Sequence, residues 1–248
     1  MSTPQSIALL ARELKLSTFA DYQQVLRLAA EKGLGYEEFL HEMLTREVSV
    51  RKENQVKKRI RDARFPLIKT LDEFKFDALP HVKEALVWQL ATGEFIQCRE
   101  NIVMIGNPGT GKTHLSIALG IKACQNGYTV RFFTAAGLIT RLVEAQNEKK
   151  LSRMLKELAR VNLLIVDELS YVSFTRQSAE LLFQVLSERS ERSSVIINTN
   201  LEFSRWAEIF GDNILAAALV DRITFKSYIL NMNAESYRLK QREKVKTR

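Results

Sequence analysis

The sequence predicts an α/β protein in which helices flank a parallel sheet and a small helical domain precedes it. Short apolar runs at 102–105, 163–166 and 195–197 have the composition of strands buried on both faces of a parallel sheet. Segments of about 10–15 residues with a helical apolar period separate strands of this kind. With 248 residues, the chain can bury such a core and a small additional domain.

The first predicted domain, residues 1–65, is helical throughout. We predict helices over 5–16, from Ser17 to Gly33, and from 37 to 64, because apolar residues recur along each at helical spacing. Three amphipathic helices of this length form a small bundle with an exposed face, which favours a domain that contacts partners and DNA. Phe65-Pro66 ends the pattern, since proline forces its predecessor out of helix.

The second predicted domain, residues 66–248, alternates strands with helices. After a helix at 82–91, we expect strands at 102–105, 129–133, 162–167 and 194–198. The intervening helices are predicted at 112–125, 135–146, 151–159 and 176–189. Mostly helices are expected after the last strand.

The composition excludes several classes of protein. Hydrophobic residues make up 46% and charged residues 27%, which is ordinary for a globular protein. No apolar run approaches the roughly 20 residues of a membrane span, and residues 1–10 lack the pattern of a secretory signal. Cys98 and Cys124 have no metal or redox spacing, so we expect two reduced thiols and a cytoplasmic location.

A glycine-rich loop follows the first predicted strand and precedes a helix, the context of a phosphate-binding loop. Its glycines allow backbone N–H groups to turn around an anion, and the helix N-terminus adds about half a positive charge. Lys112 is expected to reach the β- and γ-phosphates of a nucleotide, and Thr113 to hold Mg²⁺. The predicted nucleotide contacts are Gly106, Asn107, Pro108, Gly109, Thr110, Gly111, Lys112, Thr113 and His114.

Polar residues also follow two other predicted strands. Asp167 and Glu168 end an apolar strand at the sheet edge where the loop lies, so we expect Asp167 to bind Mg²⁺ and Glu168 to polarise a water. Asn200 follows a strand expected to lie beside the strand of the loop, where it can hydrogen-bond the water or the γ-phosphate or simply cap a turn. A carboxylate that activates water argues against a small-molecule kinase, which must exclude water.

Two further features of the sequence each have two interpretations. Phe74 and Phe76 precede the loop, where aromatic side chains either pack beneath a nucleotide base or attach a linker to the core. Arg222 and Arg238 follow the sheet, where an arginine contacts the γ-phosphate of its own or a neighbouring subunit, or forms a surface ion pair.

The net charge of +8 is concentrated in two segments. Residues 51–64 carry a net charge of +5 and residues 222–248 a net charge of +6, so the remainder is negative. Such clustering indicates a polyanionic partner, most simply nucleic acid, although a solvated helix face and a basic tail would look the same. The candidate DNA contacts are Lys57, Lys58, Arg59, Arg61, Lys240 and Arg242.

The runs NIVMIGNPGTGKTHLSIALG, LLIVDELSY, NTNLEFSRWAEIFGD, LVDRI and ESYRLK resemble the insertion-sequence ATP-binding protein IstB, a family of the DnaC and DnaA branch of AAA+ ATPases. The resemblance is strong over about residues 68–240. It implies an α/β P-loop AAA+ sheet with a small N-terminal helical domain. It also implies an ATPase that uses ATP and Mg²⁺, assembles with copies of itself on duplex DNA, remodels the DNA and recruits or stimulates a transposase.

The resemblance also implies roles for single residues. It places Lys112 and Thr113 in Walker A, Asp167 and Glu168 in Walker B, Asn200 at sensor 1, Arg222 at the arginine finger and Arg238 at a sensor-2-like position. The sequence departs from the family pattern at Ser170 and Ala234, where glycine is usual, and at Phe225-Lys226. A DnaC-like helicase loader and, less simply, a small-molecule kinase are the alternatives.

Overall fold

The computed structural model describes residues 3–170 and 174–237. Its contacts divide the chain into two units with the boundary between Lys58 and Arg59, inside the long helix α3 (Tyr36–Ala63). The sequence analysis drew its domain boundary at residue 65, just after this helix. The partner-binding role predicted for the first domain stays a prediction.

The first unit contains α1 (Thr3–Glu13), a 3-10 helix (Ser17–Asp21), α2 (Tyr22–Glu31) and the larger part of α3. These positions match the three predicted helices, with one difference. Ser17 begins a 3-10 helix, and the α-helix expected from this residue begins only at Tyr22.

One buried carboxylate ties two elements of the first unit together. Glu47 on α3 is 3% exposed and accepts hydrogen bonds from the backbone N–H (2.9 Å) and the hydroxyl (2.7 Å) of Thr18. The guanidinium of Arg51 donates to its other oxygen (2.6 Å). Burial alone would raise the pKa of Glu47, but the hydrogen bonds from Thr18 and then Arg51 outweigh it and lower the pKa to about 2.

The second unit is built on a parallel sheet of five strands in the order β2-β3-β4-β1-β5. The strands are β1 (Asn101–Ile105), β2 (Val130–Thr134), β3 (Leu163–Asp167), β4 (Ser194–Thr199) and β5 (Ser227–Asn231). The first four were predicted from sequence to within one or two residues at each end. As predicted, β4 pairs with β1, and Ile102 lies opposite Ile196.

Helices cover both faces of this sheet. They are α4 (Glu84–Ala91), α5 (Glu94–Gln97), α6 (Lys112–Gln125), α7 (Ala135–Asn147), α8 (Leu151–Ala159), α9 (Arg176–Arg189), α10 (Trp206–Phe210) and α11 (Asn213–Thr224). Alternate residues of β1 enter different cores: Ile102 and Met104 pack with residues of α4 and α6, whereas Val103 and Ile105 pack with residues of α7, α9 and α11. The α/β fold with helices on both faces is therefore confirmed.

The sequence analysis did not predict β5, because it expected mostly helices after residue 198. This strand lies at the edge of the sheet, beside β1. Leu230 is buried, but Ile229 is 52% exposed, so the segment lacks the continuous apolar run that marks the central strands.

The buried side chain of Arg189 links the end of α8 to the beginning of β4. The guanidinium of Arg189, which is 2% exposed, donates to the carbonyl oxygens of Leu158 (2.7 Å), Val161 (2.8 Å) and Ser194 (3.0 Å). Burial lowers the pKa of Arg189 to about 10, so the side chain remains charged at neutral pH. It therefore fixes the end of α8 to the beginning of β4.

Within the described residues, no helix has the length and apolar composition needed to cross a membrane.

Candidate functional site

The loop between β1 and α6 wraps around a lysine. Gly111, the residue before α6, has φ +98°, a left-handed conformation that residues with a side chain rarely adopt. Lys112 begins the helix, and its ammonium group donates hydrogen bonds to the carbonyl oxygens of Gly106 (2.5 Å) and Asn107 (2.7 Å). A positive charge is thus held inside the loop, beside the N-terminus of α6.

The segment that follows β5 returns along the same loop. The backbone N–H of Met232 donates to the carbonyl of Ile105 (2.6 Å), and the N–H of Tyr237 donates to the carbonyl of Gly109 (3.1 Å). A Cβ atom on Gly106 would overlap the backbone of Met232, so only glycine allows this approach. The loop is therefore supported from its far side by the end of the described chain.

An acid from the neighbouring part of the sheet meets the first turn of α6. Asp167 is the last residue of β3 and is 4% exposed. Its Oδ2 accepts a hydrogen bond from the hydroxyl of Thr113 (2.8 Å). The fold thus brings together the two residues that were predicted to hold Mg²⁺.

Asn198, inside β4, fixes the same acid from its other side. Its fully buried amide group donates to Oδ1 of Asp167 (2.8 Å) and to the hydroxyl oxygen of Ser116 (2.9 Å). The amide oxygen of Asn198 is buried and has no hydrogen-bond partner among the described residues. The carboxylate determines this orientation, because reversing the amide would place its oxygen against another oxygen that carries negative charge.

Glu168 has a different position from its neighbour. It has φ +59°, in the left-handed region that costs a residue with a side chain on the order of 1–2 kcal/mol. The next N–H, of Leu169, donates to the carbonyl of Asn198 (3.0 Å), which holds this turn against β4. As a result Asp167 points into the protein, whereas Glu168 is exposed and lines a cavity.

That cavity has a volume of about 350 Å³. Its lining combines the residues from the loop and from the ends of β3 and β4 with side chains that precede β1. The lining residues are Leu67, Lys69, Glu73, Phe74, Lys75, Ala78, Pro108, Gly109, Thr110, Gly111, Lys112, Thr113, His114, Asp167, Glu168, Asn198, Asn200 and Tyr237.

The wall upstream of β1 is attached to α6 through a histidine. A ring nitrogen of His114 lies 2.8 Å from the carbonyl oxygen of Thr70, and the rings of His114 and Phe74 meet edge to face at 5.2 Å. Phe74 lines the cavity, and its ring also contacts that of Phe76 at 4.9 Å. Phe74 therefore attaches this segment to the core, as one interpretation predicted, and it also forms a wall of the cavity. Its packing beneath a nucleotide base stays a prediction.

The residues at the base of the cavity fit a magnesium nucleotide. A carboxylate and a hydroxyl oxygen, from Asp167 and Thr113, are ligands of the type that Mg²⁺ prefers, and Lys112 supplies a charge for phosphate. Among the described residues no cluster of three or more histidine, cysteine, aspartate or glutamate side chains could hold a metal. A small set of protein ligands suits a cation that takes its remaining ligands from phosphates and water.

Asn200, predicted to contact the water or the γ-phosphate, lines the cavity. Its backbone N–H donates to the hydroxyl oxygen of Ser170 (3.1 Å).

The predicted arginines and DNA contacts lie elsewhere. Arg222 on α11 is exposed and does not line this cavity, and its guanidinium lies over the ring of Phe183 at 5.3 Å. Its role in a neighbouring subunit stays a prediction. Arg238, Lys240 and Arg242 lie outside the described residues. The predicted DNA contacts on α3 are Lys57, Lys58, Arg59 and Arg61.

The sequence pattern did not predict Asn198 or Ser116 as site residues. It placed Asn198 at the end of a strand and indicated a chemical role for Asn200 alone. A polar residue within an apolar strand that pairs on both sides was the available signal, because such a residue must find a hydrogen-bond partner in the interior.

Known proteins resemble this chain over most of its length. Residues 9–245 match the family model of the IstB-like ATP binding protein. The insertion sequence IS21 putative ATP-binding protein of Pseudomonas aeruginosa is 40% identical over 90% of this chain and 84% of that protein. The insertion sequence IS5376 putative ATP-binding protein of Geobacillus stearothermophilus is 38% identical over 86% of this chain and 85% of that protein.

A solved structure resembles this chain in fold. The crystal structure of the DnaC helicase loader is 22% identical and covers 59% of this chain and 86% of its own, with a TM-score of 0.51. At that identity the likeness shows the fold alone, the P-loop AAA+ fold predicted from sequence. The chain belongs to the family of IstB-like ATP binding proteins.

Proposed function

We propose that this chain is an ATPase that binds Mg²⁺-ATP in the 350 Å³ cavity, assembles with its own copies on duplex DNA and assists a transposase by remodelling the target DNA. The observation that carries the nucleotide site is the convergence of Lys112, Thr113, Asp167 and Glu168 on one cavity. The insertion-sequence relatives support the role in transposition.

Different residues of the site bind the phosphates, the base and the metal ion. The loop N–H groups and Lys112 bind the phosphates, and Phe74 offers an apolar wall to the base. Mg²⁺, held by Thr113 and Asp167, would neutralise charge on the β- and γ-phosphates. Asn198 is a positioning residue, because it holds the carboxylate of Asp167 in place without needing to touch the substrate.

Hydrolysis requires a water that is oriented and deprotonated as it attacks. Glu168 accepts the proton of that water while the oxygen attacks the γ-phosphorus, and the bond to the β-phosphate oxygen breaks to leave ADP and phosphate. Asn200, at the end of β4, donates to the water or to the γ-phosphate. Exposure of Glu168 to the cavity suits this role, because a base must reach water.

Nucleotide binding is tested with a matched pair of lysine variants. Lys112→Ala removes the ammonium group inside the loop and should abolish ATP binding. Lys122→Ala, on the same helix, removes a lysine that lies 5.9 Å from the ring of Trp88 and does not line the cavity, so it should bind ATP normally. Equal ATP affinity of Lys112→Ala and the wild type, measured with a fluorescent ATP analogue, would contradict the site.

Assembly is tested by mixing inactive subunits. Arg222→Ala should leave ATP binding by the subunit intact and reduce both hydrolysis and ATP-dependent assembly on DNA, if Arg222 reaches the γ-phosphate of the next subunit. Mixing Arg222→Ala with Lys112→Ala subunits should then restore part of the hydrolysis, because some interfaces pair an intact loop with an intact arginine. If mixed oligomers form and none hydrolyses ATP, Arg222 does not act between subunits.

The alternative role is the loading of a replicative helicase. The two functions differ in the protein partner, so a pull-down with purified transposase and purified replicative helicase distinguishes them. Capture of the transposase alone supports the proposal, and capture of the helicase alone supports the alternative.

A further inference from the structure

Five arginines that are far apart in the sequence converge beside the edge strand β2. They come from the end of α3, from β2, from α7 and from the end of α8, and they line two adjoining cavities of about 780 and 190 Å³. The two cavities share Arg131, Arg160 and Val161. We call this surface the arginine groove. A sixth arginine, Arg153, also lines it but pairs with Glu157; the other five are Arg59, Arg64, Arg131, Arg141 and Arg160.

The groove carries an excess of positive charge. Seven basic and four acidic side chains line it. Three of the acids are already paired with basic residues outside the set of five, since Glu148 pairs with Lys150 (2.7 Å), Glu157 with Arg153 (3.0 Å) and Asp62 with Arg61 (3.7 Å). Among the described residues, none of the five arginines of the groove forms an ion pair with a carboxylate.

Neutral groups hold two of these arginines in place. Arg131 donates to the backbone carbonyl of Asp62, in the last turn of α3, and the guanidinium of Arg141 lies over the ring of Phe133 at 5.5 Å. A carbonyl and an aromatic face orient a guanidinium without cancelling its charge. Like charges repel, so a concave surface that gathers uncompensated guanidinium groups is suited to an anion with several charges.

We infer that the arginine groove binds the phosphate backbone of duplex DNA. Guanidinium groups match phosphate oxygens with paired hydrogen bonds, and DNA offers phosphates at regular spacing along a line longer than any single cavity. The inference rests on the proposed function, which requires DNA, and it adds a surface that the clustered charges of the sequence did not indicate. Arg131, Arg141 and Arg160 lie outside both basic segments identified from the sequence.

The test removes two groove charges, those of Arg64 and Arg160, whose side chains form no ion pair among the described residues. Arg64→Gln and Arg160→Gln are combined in the full chain, and the matched control combines Lys83→Gln with Arg192→Gln, two exposed basic residues that line neither cavity and lie outside both basic segments. The affinity for a fluorescent DNA duplex is measured in the presence of ATP, at salt concentrations from about 0.05 to about 0.5 M. Thermal unfolding and ATP affinity confirm that both variants are folded.

Counterion release sets the size of the expected effect. Each lost phosphate contact makes the slope of log affinity against log salt less negative by about 0.9, so two contacts change the slope by about 1.8 and weaken binding roughly 60-fold at 0.1 M salt. The control should keep the slope of the wild type and an affinity within about threefold of it. The two charges that it removes lie away from the groove, so salt screens their attraction for the DNA.

Three results would overturn the inference. The groove variant could bind duplex with the wild-type affinity and slope, or the control could lose as much affinity as the groove variant. The groove variant could also keep its DNA affinity and lose binding to phosphatidylglycerol vesicles, which would assign the groove to a membrane surface. If the wild type itself binds no duplex, the proposed function fails and the groove inference fails with it.

Discussion

Removing the amide of Asn198 should raise the Mg²⁺ concentration needed for ATP hydrolysis without unfolding the site. Asn198 donates to Oδ1 of Asp167 at 2.8 Å, and the hydroxyl of Thr113 donates to the other oxygen at 2.8 Å. With the amide gone, the carboxylate keeps only one of these two restraints. Asn198→Ala and Asn198→Leu both remove the donor, but alanine leaves a cavity whereas leucine adds volume, so an effect shared by both variants reports the hydrogen bond and not the packing.

The magnitude follows from the charge of the acceptor. A hydrogen bond to a charged group contributes about 1.5–3 kcal/mol, and about 1.4 kcal/mol corresponds to a factor of ten. The concentration of Mg²⁺ that gives half-maximal hydrolysis should therefore rise by about 10- to 150-fold in both variants. Affinity for ATP measured without Mg²⁺ should change little, because the side-chain hydrogen bonds of Asn198 go to Asp167 and Ser116 and not to the loop.

The assay is the rate of ATP hydrolysis across a Mg²⁺ titration, together with nucleotide binding and thermal unfolding. Ser116→Ala is the matched control, since it removes the other acceptor of the same amide group, 2.9 Å away, and leaves the bond to Asp167. It should keep the wild-type Mg²⁺ dependence. If Asn198→Leu shows the wild-type dependence, or if Ser116→Ala shifts it equally, the amide does not position Asp167.

Three further outcomes are expected. Gly106→Ala places a Cβ on the backbone of Met232 and should cost about 1–3 kcal/mol of overpacking, seen as a lower Tm in thermal unfolding; an unchanged Tm would mean that the segment after β5 yields freely. Glu168→Gln should bind ATP normally and hydrolyse it about 10²–10⁴ times more slowly, and normal turnover would assign water activation to another residue. Because the pKa of Glu47 is lowered from 4.5 to about 2, its carboxylate stabilises the fold above pH 4.5 and loses that effect as the pH falls towards 2. The difference in unfolding free energy between wild type and Glu47→Gln should therefore shrink across this interval, and a constant difference would contradict the argument.

The parts of the site that are local in sequence could be predicted. The loop at 106–113 and the acids Asp167 and Glu168 are contiguous motifs whose flanking strand and helix confirm their context. The partners of Asp167 could be predicted only in part. Its bond to Asn198 exists because β4 lies directly between β3 and β1, and only the sheet order brings that amide beside the acid.

Features that depend on several distant segments could not be read from the sequence. Each arginine of the arginine groove is isolated or mixed with other charges in the sequence, and only the packing of α3, α7 and α8 around β2 places them together. The strand β5 was missed for a related reason. An edge strand needs only a half-buried pattern, and Ser227–Asn231 is too short for that pattern to be distinctive.

The order of the sheet has a consequence for the synthesis of the protein. The strand β1 carries the phosphate-binding loop, yet both of its neighbours are made later: β4 at Ser194–Thr199 and β5 at Ser227–Asn231. While the ribosome is still adding those residues, β1 has no strand to pair with, and its apolar side chains and unpaired backbone are available to chaperones. The ability to retain a nucleotide should therefore arise only after β4 and β5 have both been made. A ribosome-bound chain stalled before residue 227 should fail to retain ATP on a filter, whereas one released after residue 237 should succeed.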